Sequence, residues 1–266
     1  MIDSDKWRRL WECNSKASVP DFELDRGMSH RGEELEKLSE REHVRFIEPR
    51  ESEVILDAGC GTGVNVLRLH SGVARVIAMD YASGSIERCR AKLRVQNVCN
   101  VQLCVASLTA IPLSDRFVDK ILCLSVLQYL DDDEVRCALR EFVRVLKPGG
   151  VIILHVKNAS SLYWRSLDIA RKVKSALGAT SCGYYVRSFQ WYLNELMSLN
   201  CRVLDYKSFN WLTLDIMPKP VVSWLQRFEL RRQEGWLRRS LFVRRHGADL
   251  KIKACVQKVT FPNIRV

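Results

Sequence analysis

The chain of 266 residues is predicted to fold as an α/β protein around a parallel sheet. Three observations carry the prediction. Val54-Ile55-Leu56-Asp57-Ala58 is a short apolar run holding one acidic residue, the pattern of a strand buried on both faces. Three alternating glycines follow at Gly59, Gly61 and Gly63, and apolar positions resume at Val64, Val66, Leu67 and Leu69 as the start of a helix. Arg75-Val76-Ile77-Ala78-Met79-Asp80 then reads as a second strand ending in an acid, 17 residues after Gly63.

Spacing predicts the other elements in turn. Trp7, Leu10 and Trp11 lie at helical spacing, and Glu33, Leu35, Leu38, His43, Val44 and Ile47 make a second amphipathic helix, so residues 1–50 are a helical segment. The glycines of the first turn tolerate φ > 0 and let a ligand approach the backbone closely. Their spacing excludes two ligand classes. A dinucleotide fingerprint needs a third glycine where this chain has Val64 or Val66, and the Gly-Lys-Ser/Thr of a phosphate loop never occurs. The acid at Asp80 suits a bidentate hydrogen bond to ribose hydroxyls. Further on, Phe189, Tyr192, Leu193, Leu196 and Leu199 predict a helix, and Cys201 to Phe209 a sixth strand. Asp249 to Phe261 predicts the last strand, with Leu250, Ile252, Ala254 and Val256 set against Lys251, Lys253 and Gln257.

Asp57-Ala58-Gly59-Cys60-Gly61-Thr62-Gly63 after a strand resembles the first motif of class I S-adenosylmethionine (SAM)-dependent methyltransferases. Four later stretches resemble that family in the right order. The strand ending at Asp80 is one. Ala106-Ser107-Leu108-Thr109-Ala110-Ile111-Pro112-Leu113 resembles the loop that covers the adenine. Phe117 to Leu124, followed by Ser125-Val126-Leu127-Gln128-Tyr129-Leu130, resembles the fourth strand and its exit. Leu146-Lys147-Pro148-Gly149-Gly150-Val151-Ile152-Ile153-Leu154 resembles the turn into the fifth strand, residues 151–157. The resemblance covers residues 50 to 157. It implies a Rossmann-like fold: a mostly parallel seven-stranded sheet with an antiparallel last strand, helices on both faces, and helical cap insertions. It implies SAM as cofactor, held by Asp57, Gly59, Cys60, Gly61, Thr62, Gly63, Asp80, Tyr81, Ser107, Leu108 and Leu124. Relatives usually carry Asp at the position of Ser107. A serine hydroxyl can accept the same bond without charge assistance, which shifts adenine contact toward the backbone around Ser107 and Leu108.

The whole chain, 1–266, is then one methyltransferase domain. Residues 51–157, 187–209 and 250–261 form its core, and 1–50 a lid over the cofactor mouth or a docked helical extension. Segments 158–186 and 210–249 are left over as insertions. Both start at the carboxyl ends of parallel strands, the edge where ligands bind in open α/β sheets. The first carries Arg165, Arg171, Lys172 and Lys174 against Asp168, with Leu162, Tyr163, Ile169, Ala170, Val173, Ala176 and Leu177 at helical spacing. The second carries eight basic residues against four acids, interleaved with Trp211, Trp224 and Trp236, and a helix is predicted from Val221. Basic helices with tryptophans on an apolar side suit interfacial membrane association or a lid over a lipid-like substrate. The alternative is that these apolar residues pack onto the core.

The charge is uneven. Residues 1–150 hold 22 Lys+Arg and 24 Asp+Glu, a net of −2, whereas 151–266 hold 20 and 7, a net of +13. Such asymmetry fits an anionic partner, whether phosphate, nucleic acid or a membrane surface, or a basic face that is simply solvated. No apolar run reaches bilayer-spanning length, and charged residues among the first nine argue against a signal peptide. Ten cysteines form no C-x-x-C pair and none has zinc spacing to a histidine, so free thiols and no bound metal are expected. The expected location is the cytoplasm, with peripheral contact at the inner membrane surface.

Methyl transfer from a sulfonium needs alignment and, for some acceptors, a base. Two histidines are candidates. His155 closes the fifth strand near the expected acceptor, or faces the helix layer instead. His30 lies in the lid segment beside Arg26 and Arg31, or is a solvated loop residue. Ile153 to Asn158, Gly183 to Phe189 and Glu195-Leu196 also resemble methyltransferases of ubiquinone biosynthesis and of polysaccharide or glycolipid modification. The chain departs from them in having Lys157-Asn158 for a Pro-Asn pair and Tyr184 or Tyr185 for a histidine. Gln128, Tyr185 and Arg187 are the candidate acceptor contacts, and the alternative for the last two is that they pin the loop. The reading is a SAM-dependent methyltransferase of a small-molecule or lipid-linked acceptor, at oxygen. An RNA methyltransferase is the first alternative, although no appended RNA-binding module is recognisable. A non-catalytic SAM-fold scaffold is the second.

Overall fold

The computed structural model of the protein describes residues 4–16, 44–161, 163–168, 184–209 and 249–257. Its elements are α1 (Ser4–Lys16), β1 (Val54–Ala58), α2 (Val64–Leu69), β2 (Arg75–Asp80), α3 (Ser83–Val95), β3 (Val101–Val105), β4 (Val118–Leu124), α4 (Asp132–Val145), β5 (Leu146–Lys157), α5 (Phe189–Ser198), β6 (Cys201–Phe209) and β7 (Asp249–Val256). Seven strands form one sheet in the order β3-β2-β1-β4-β5-β7-β6. β1 to β5 are parallel, and β7 runs antiparallel to both β5 and β6. This is the Rossmann-like sheet that the sequence predicts, reversed only in its last strand. Chain order turns back beside β1, between β2 on one side and β4 on the other. The carboxyl ends of these strands therefore flank a topological switch point.

Two apolar layers hold helices to opposite faces. On one face Val66 and Leu69 of α2 and Ile86, Cys89 and Leu93 of α3 pack with Ile55, Val76, Ala78 and Ile153. On the other, Val135, Ala138, Leu139 and Phe142 of α4 and Tyr192 and Leu196 of α5 pack with Leu56, Ile77, Ile121 and Leu154. The three- and four-residue spacing of the buried α4 positions is the amphipathic stripe that makes this segment a helix. Its start is fixed by a capping box: Asp131 accepts from the Glu134 amide, and Glu134 accepts from the Asp131 amide. Such a cap contributes about 1 kcal/mol.

The structure moves three boundaries. β4 starts at Val118 rather than Phe117. β5 starts at Leu146 rather than 151. Pairing jumps from Val118–Leu146 to Lys120–Val151, and this bulge, with Gly149 at φ 85°, keeps Lys147 to Gly150 within the strand. The last strand ends at Val256, and Phe261 lies outside the described residues. β7 is also not the half-exposed strand its alternation predicts. It lies between β5 and β6, and Asp249 to Ala254 are all buried, Lys251 and Lys253 included. Lys253 Nζ pairs with Glu48 at 2.8 Å and lies 5.8 Å from the Phe46 ring centroid. Residues 44–47 are helical, and the other residues from which the second N-terminal helix is predicted lie outside the described residues.

Candidate cofactor and acceptor site

The turn after β1 has Gly59, Gly61 and Gly63 at φ 84°, 53° and 89°. The Gly59 and Cys60 amides donate to the Met79 carbonyl at 2.7 and 2.9 Å, which seats the turn against the end of β2. Asp80 closes it from the other side. Its Oδ2 accepts the Gly61 amide at 3.0 Å and its Oδ1 the Ala82 amide at 2.9 Å. Packing explains two of the glycines. A Cβ at Gly59 would overlap the Val126 side chain, and one at Gly63 would overlap Cys89 Sγ. Thr62 is fully buried and accepts from Lys92 Nζ through Oγ1 at 2.6 Å and through its carbonyl at 2.9 Å. Cys60 and Asp57 are buried as well. A left-handed glycine backbone facing an acid at a strand end fits a ligand with a hydroxylated sugar, because the Asp80 oxygens keep further acceptor capacity.

The adenine-loop residues sit beside this turn. The Ala106 amide donates to the Asp80 carbonyl at 3.1 Å. Ser107 Oγ lies 2.9 Å from Thr109 Oγ1 and accepts the Thr109 amide at 3.3 Å, so the hydroxyl stabilises its own turn. Leu108 is buried in the core, and Leu124 is half-buried at the end of β4, in register with His155.

Tyr81 contacts α1. Its hydroxyl donates to the Arg8 carbonyl of α1 and lies 3.4 Å from the Trp7 carbonyl. Burial, followed by the negative charges of Asp80 and Glu12, pushes the phenol pKa well up and keeps it a neutral donor. α1 is fixed along its length. Glu12 accepts from the Ser83 amide and hydroxyl at 3.1 and 3.0 Å, Arg88 Nε donates to the Ser15 carbonyl at 3.0 Å, and Arg8 pairs with Glu134. Trp7 meets Tyr129 and Tyr184 with ring centroids 4.9 and 5.4 Å away. α1 thus bridges the cofactor side, at Tyr81 and Ser83, and the loops after β4 and before α5.

On the acceptor side, His155 is a mostly buried residue of β5. Its Nδ1 lies 3.1 Å from Ser125 Oγ, and its Nε2 lies 4.0 Å from Asp249 Oδ1. Lys157 Nζ holds the same Asp249 oxygen at 2.8 Å. Gln128 is buried; its Nε2 donates to the Ser125 carbonyl at 2.7 Å, and its Oε1 has no hydrogen-bond partner among the described residues. The Tyr185 amide donates to the Gln128 carbonyl at 2.9 Å. Arg187 is buried, with Nε on Asp132 at 2.7 Å and the other nitrogens on the Leu127 and Leu130 carbonyls at 3.0 and 2.7 Å. Its guanidinium is committed to the loop after β4, which is the pinning role. His30 and nearly all of segment 210–249 lie outside the described residues.

Ser125, Lys157 and Asp249 are not among the candidate site residues named from sequence. Asp249 reaches His155 only through the antiparallel register of β5 and β7, which local spacing does not encode. Ser125 does carry a signal, because a small hydroxyl residue directly follows a buried strand at the ligand-binding edge.

The fold and the geometry of the turn are those of the class I SAM-dependent methyltransferases that the sequence resembles. Residues 55–150 match the family model described as a methyltransferase domain. The chain carries that domain, and SAM is the cofactor of its class. Malonyl-[acyl-carrier protein] O-methyltransferase of Yersinia pestis is 36% identical over 141 residues, 50% of this chain and 50% of that protein. Phosphoethanolamine N-methyltransferase 1 of Triticum aestivum is 28% identical over 169 residues, 62% of this chain and 32% of that protein. The chain spans about half or less of the length of these relatives. Among solved structures, Haemonchus contortus phosphoethanolamine N-methyltransferase 1, in complex with phosphoethanolamine and S-adenosylhomocysteine, matches with a TM-score of 0.67 at 14% identity. The match covers 97% of this chain and 50% of that one. At that identity the likeness speaks for the fold.

Proposed function

We propose that the protein transfers a methyl group from SAM to an oxygen of a small-molecule or lipid-linked acceptor. One observation carries this reading. His155, in register with Leu124 at the end of β4, stands on the same sheet edge as the Gly59–Gly63 turn and Asp80. Bound SAM supplies an electrophilic methyl carbon on a sulfonium sulfur. The residues of this chain do the rest. Asp80 and the turn orient the ribose and amino-acid portions. α1 limits the access of water, and His155 takes the proton of an acceptor hydroxyl, which is too weak a nucleophile while it keeps that proton. Gln128 and Tyr185 are the proposed acceptor contacts. Relatives named as O-methyltransferases support oxygen as the methylated atom. The net of +13 in residues 151–266 supports contact with an anionic membrane surface, and the cytoplasm is the proposed location.

The test is transfer of radiolabelled methyl from SAM into separated lipid, small-molecule, RNA and protein fractions of a cell extract. Label in lipid or small molecules that is released as methanol or methyl iodide by base or hydriodic acid, under conditions that leave N-methyl groups in place, supports the reading. Label confined to RNA selects the RNA methyltransferase, and SAM binding with no labelled fraction selects the scaffold.

A further inference from the structure

We propose that Ser125 relays the proton of the acceptor to His155, and that Asp249, held by Lys157, orients the ring to receive it. The inference rests on the reading of an O–H acceptor given above. Ser125 grips His155 twice: the hydroxyl oxygen lies 3.1 Å from Nδ1, and the Ser125 amide donates to the His155 carbonyl at 2.8 Å. On the far side of the ring, Asp249 Oδ1 lies 4.0 Å from Nε2, and its side chain is 4% exposed. A buried carboxylate there favours the ring proton on Nε2, which leaves Nδ1 to accept the Ser125 hydroxyl. Lys157 Nζ, 2.8 Å from the same oxygen, holds Asp249 in place.

The backbone of Ser125 supplies a second argument. Its φ is 62°, in the left-handed region where glycine is at ease and serine is strained. Conformation alone favours glycine, and the hydroxyl is what glycine lacks. The neighbouring contacts hold the Ser125 carbonyl and bring the next residue against the glycine turn. Gln128 Nε2 holds the Ser125 carbonyl at 2.7 Å, and Val126 fills the space over Gly59.

His155 has one ring nitrogen toward Ser125 and the other toward Asp249, and its side chain is 14% exposed. The acceptor proton therefore reaches it through the serine. The acceptor O–H proton passes to Ser125 Oγ as the proton of Ser125 passes to His155 Nδ1. The electron pair freed on the acceptor oxygen forms the new carbon–oxygen bond, and the carbon–sulfur pair leaves with sulfur. Serine ends neutral, and the imidazolium faces Asp249.

Two-bond 1H–15N spectra of 15N-histidine-labelled protein test the arrangement without cofactor, with His155 identified by loss of its signals in His155→Gln. The neutral ring is expected as the Nε2–H tautomer, and Ser125→Gly is expected to shift it toward a mixture. In turnover, Ser125→Gly should lower kcat about 100-fold, the lower end of what a positioned base contributes, with KM for SAM unchanged. Ser125→Cys, which keeps a protic side chain, should recover part of the rate. Asp249→Asn should shift the tautomer in the same sense, and if it does not fold, Ser125→Gly carries the test alone. An Nδ1–H tautomer in the wild type, or wild-type kcat in Ser125→Gly, overturns the relay. If instead no hydroxyl acceptor is methylated by the wild type, the proposed function fails, and the tautomer still reports separately on the Ser125–His155 pairing.

Discussion

Asp80 accepts the amide proton of Gly61 at 3.0 Å, so the acid expected to meet the ribose already clamps the cofactor turn from the end of β2. Its other oxygen accepts the Ala82 amide at 2.9 Å, which fixes the start of α3. Asp80→Ala should therefore have two effects. SAM affinity should fall by about 1.5–3 kcal/mol, the size of a charged hydrogen bond. The apparent Tm without SAM should fall too, because two amides lose their acceptor. Calorimetry and a thermal melt measure the two separately. Unchanged SAM affinity in a folded Asp80→Ala protein would reject this placement of the ribose.

Gly61→Val should abolish SAM binding and leave a soluble fold. Gly61 has φ 53°, and its amide is one of the two that Asp80 orients. A β-branched side chain resists that φ and adds bulk to the turn. Gly59 and Gly63 are less informative targets, since substitution there strikes Val126 or Cys89 and disturbs packing as well. Wild-type SAM affinity in Gly61→Val, measured by calorimetry, means that the turn is not the cofactor cradle.

Docking of α1 should weaken in acid. The Glu12 carboxyl lies below its ordinary value of 4.5, chiefly through its hydrogen bond to Lys16 and then through those to Ser83. Lys16 belongs to α1 itself, so only the Ser83 share couples to docking. A depressed folded-state pKa stabilises above the unfolded value, and that contribution is lost as pH falls below 4.5 through the folded pKa. Trp7 and Trp11 both pack on Tyr129, so their fluorescence reports the contact. The wild type should show an acid transition in emission, over a range where far-UV circular dichroism is constant, that Glu12→Gln lacks. Identical pH profiles for the two proteins would remove Glu12 from the docking of α1.

The first half of the sheet is legible because its signals are local. A five-residue run with four apolar members, three glycines and a strand-end acid lie within one β-turn-α-β stretch, and each constrains the backbone directly. The reasons behind those glycines are not legible. Gly59 answers to Val126 and Gly63 to Cys89, contacts made only when β4 and α3 close around the turn. β7 misleads for a related reason. Lys251 and Lys253 read as a solvent face, but Phe46 and Glu48 of the preceding segment cover that face at Lys253, and ion pairing with Glu48 makes a buried lysine tolerable. The pairing of His155 with Asp249 depends on register across the 210–249 insertion, which no local pattern contains.

That insertion supplies the last prediction. Residues 151–266 carry a net of +13 and five of the seven tryptophans, and Arg231, Arg232, Arg238 and Arg239 fall in a part of 210–249 that lies outside the described residues. A basic segment with interleaved tryptophans fits an anionic membrane or an anionic lipid-linked acceptor. Each lysine or arginine near such a surface contributes about 1 kcal/mol, so replacing these four arginines with glutamine should remove up to about 4 kcal/mol of vesicle binding. SAM affinity should not change, because the cofactor turn and Asp80 belong to the β1–β2 region. Binding of the wild type should also fade with salt, since the Debye length drops to about 3 Å at 1 M. Co-sedimentation with anionic and neutral vesicles decides the matter. A wild-type protein that ignores anionic vesicles at low salt yet retains structured RNA transfers the basic half of the chain from a membrane to a nucleic-acid partner.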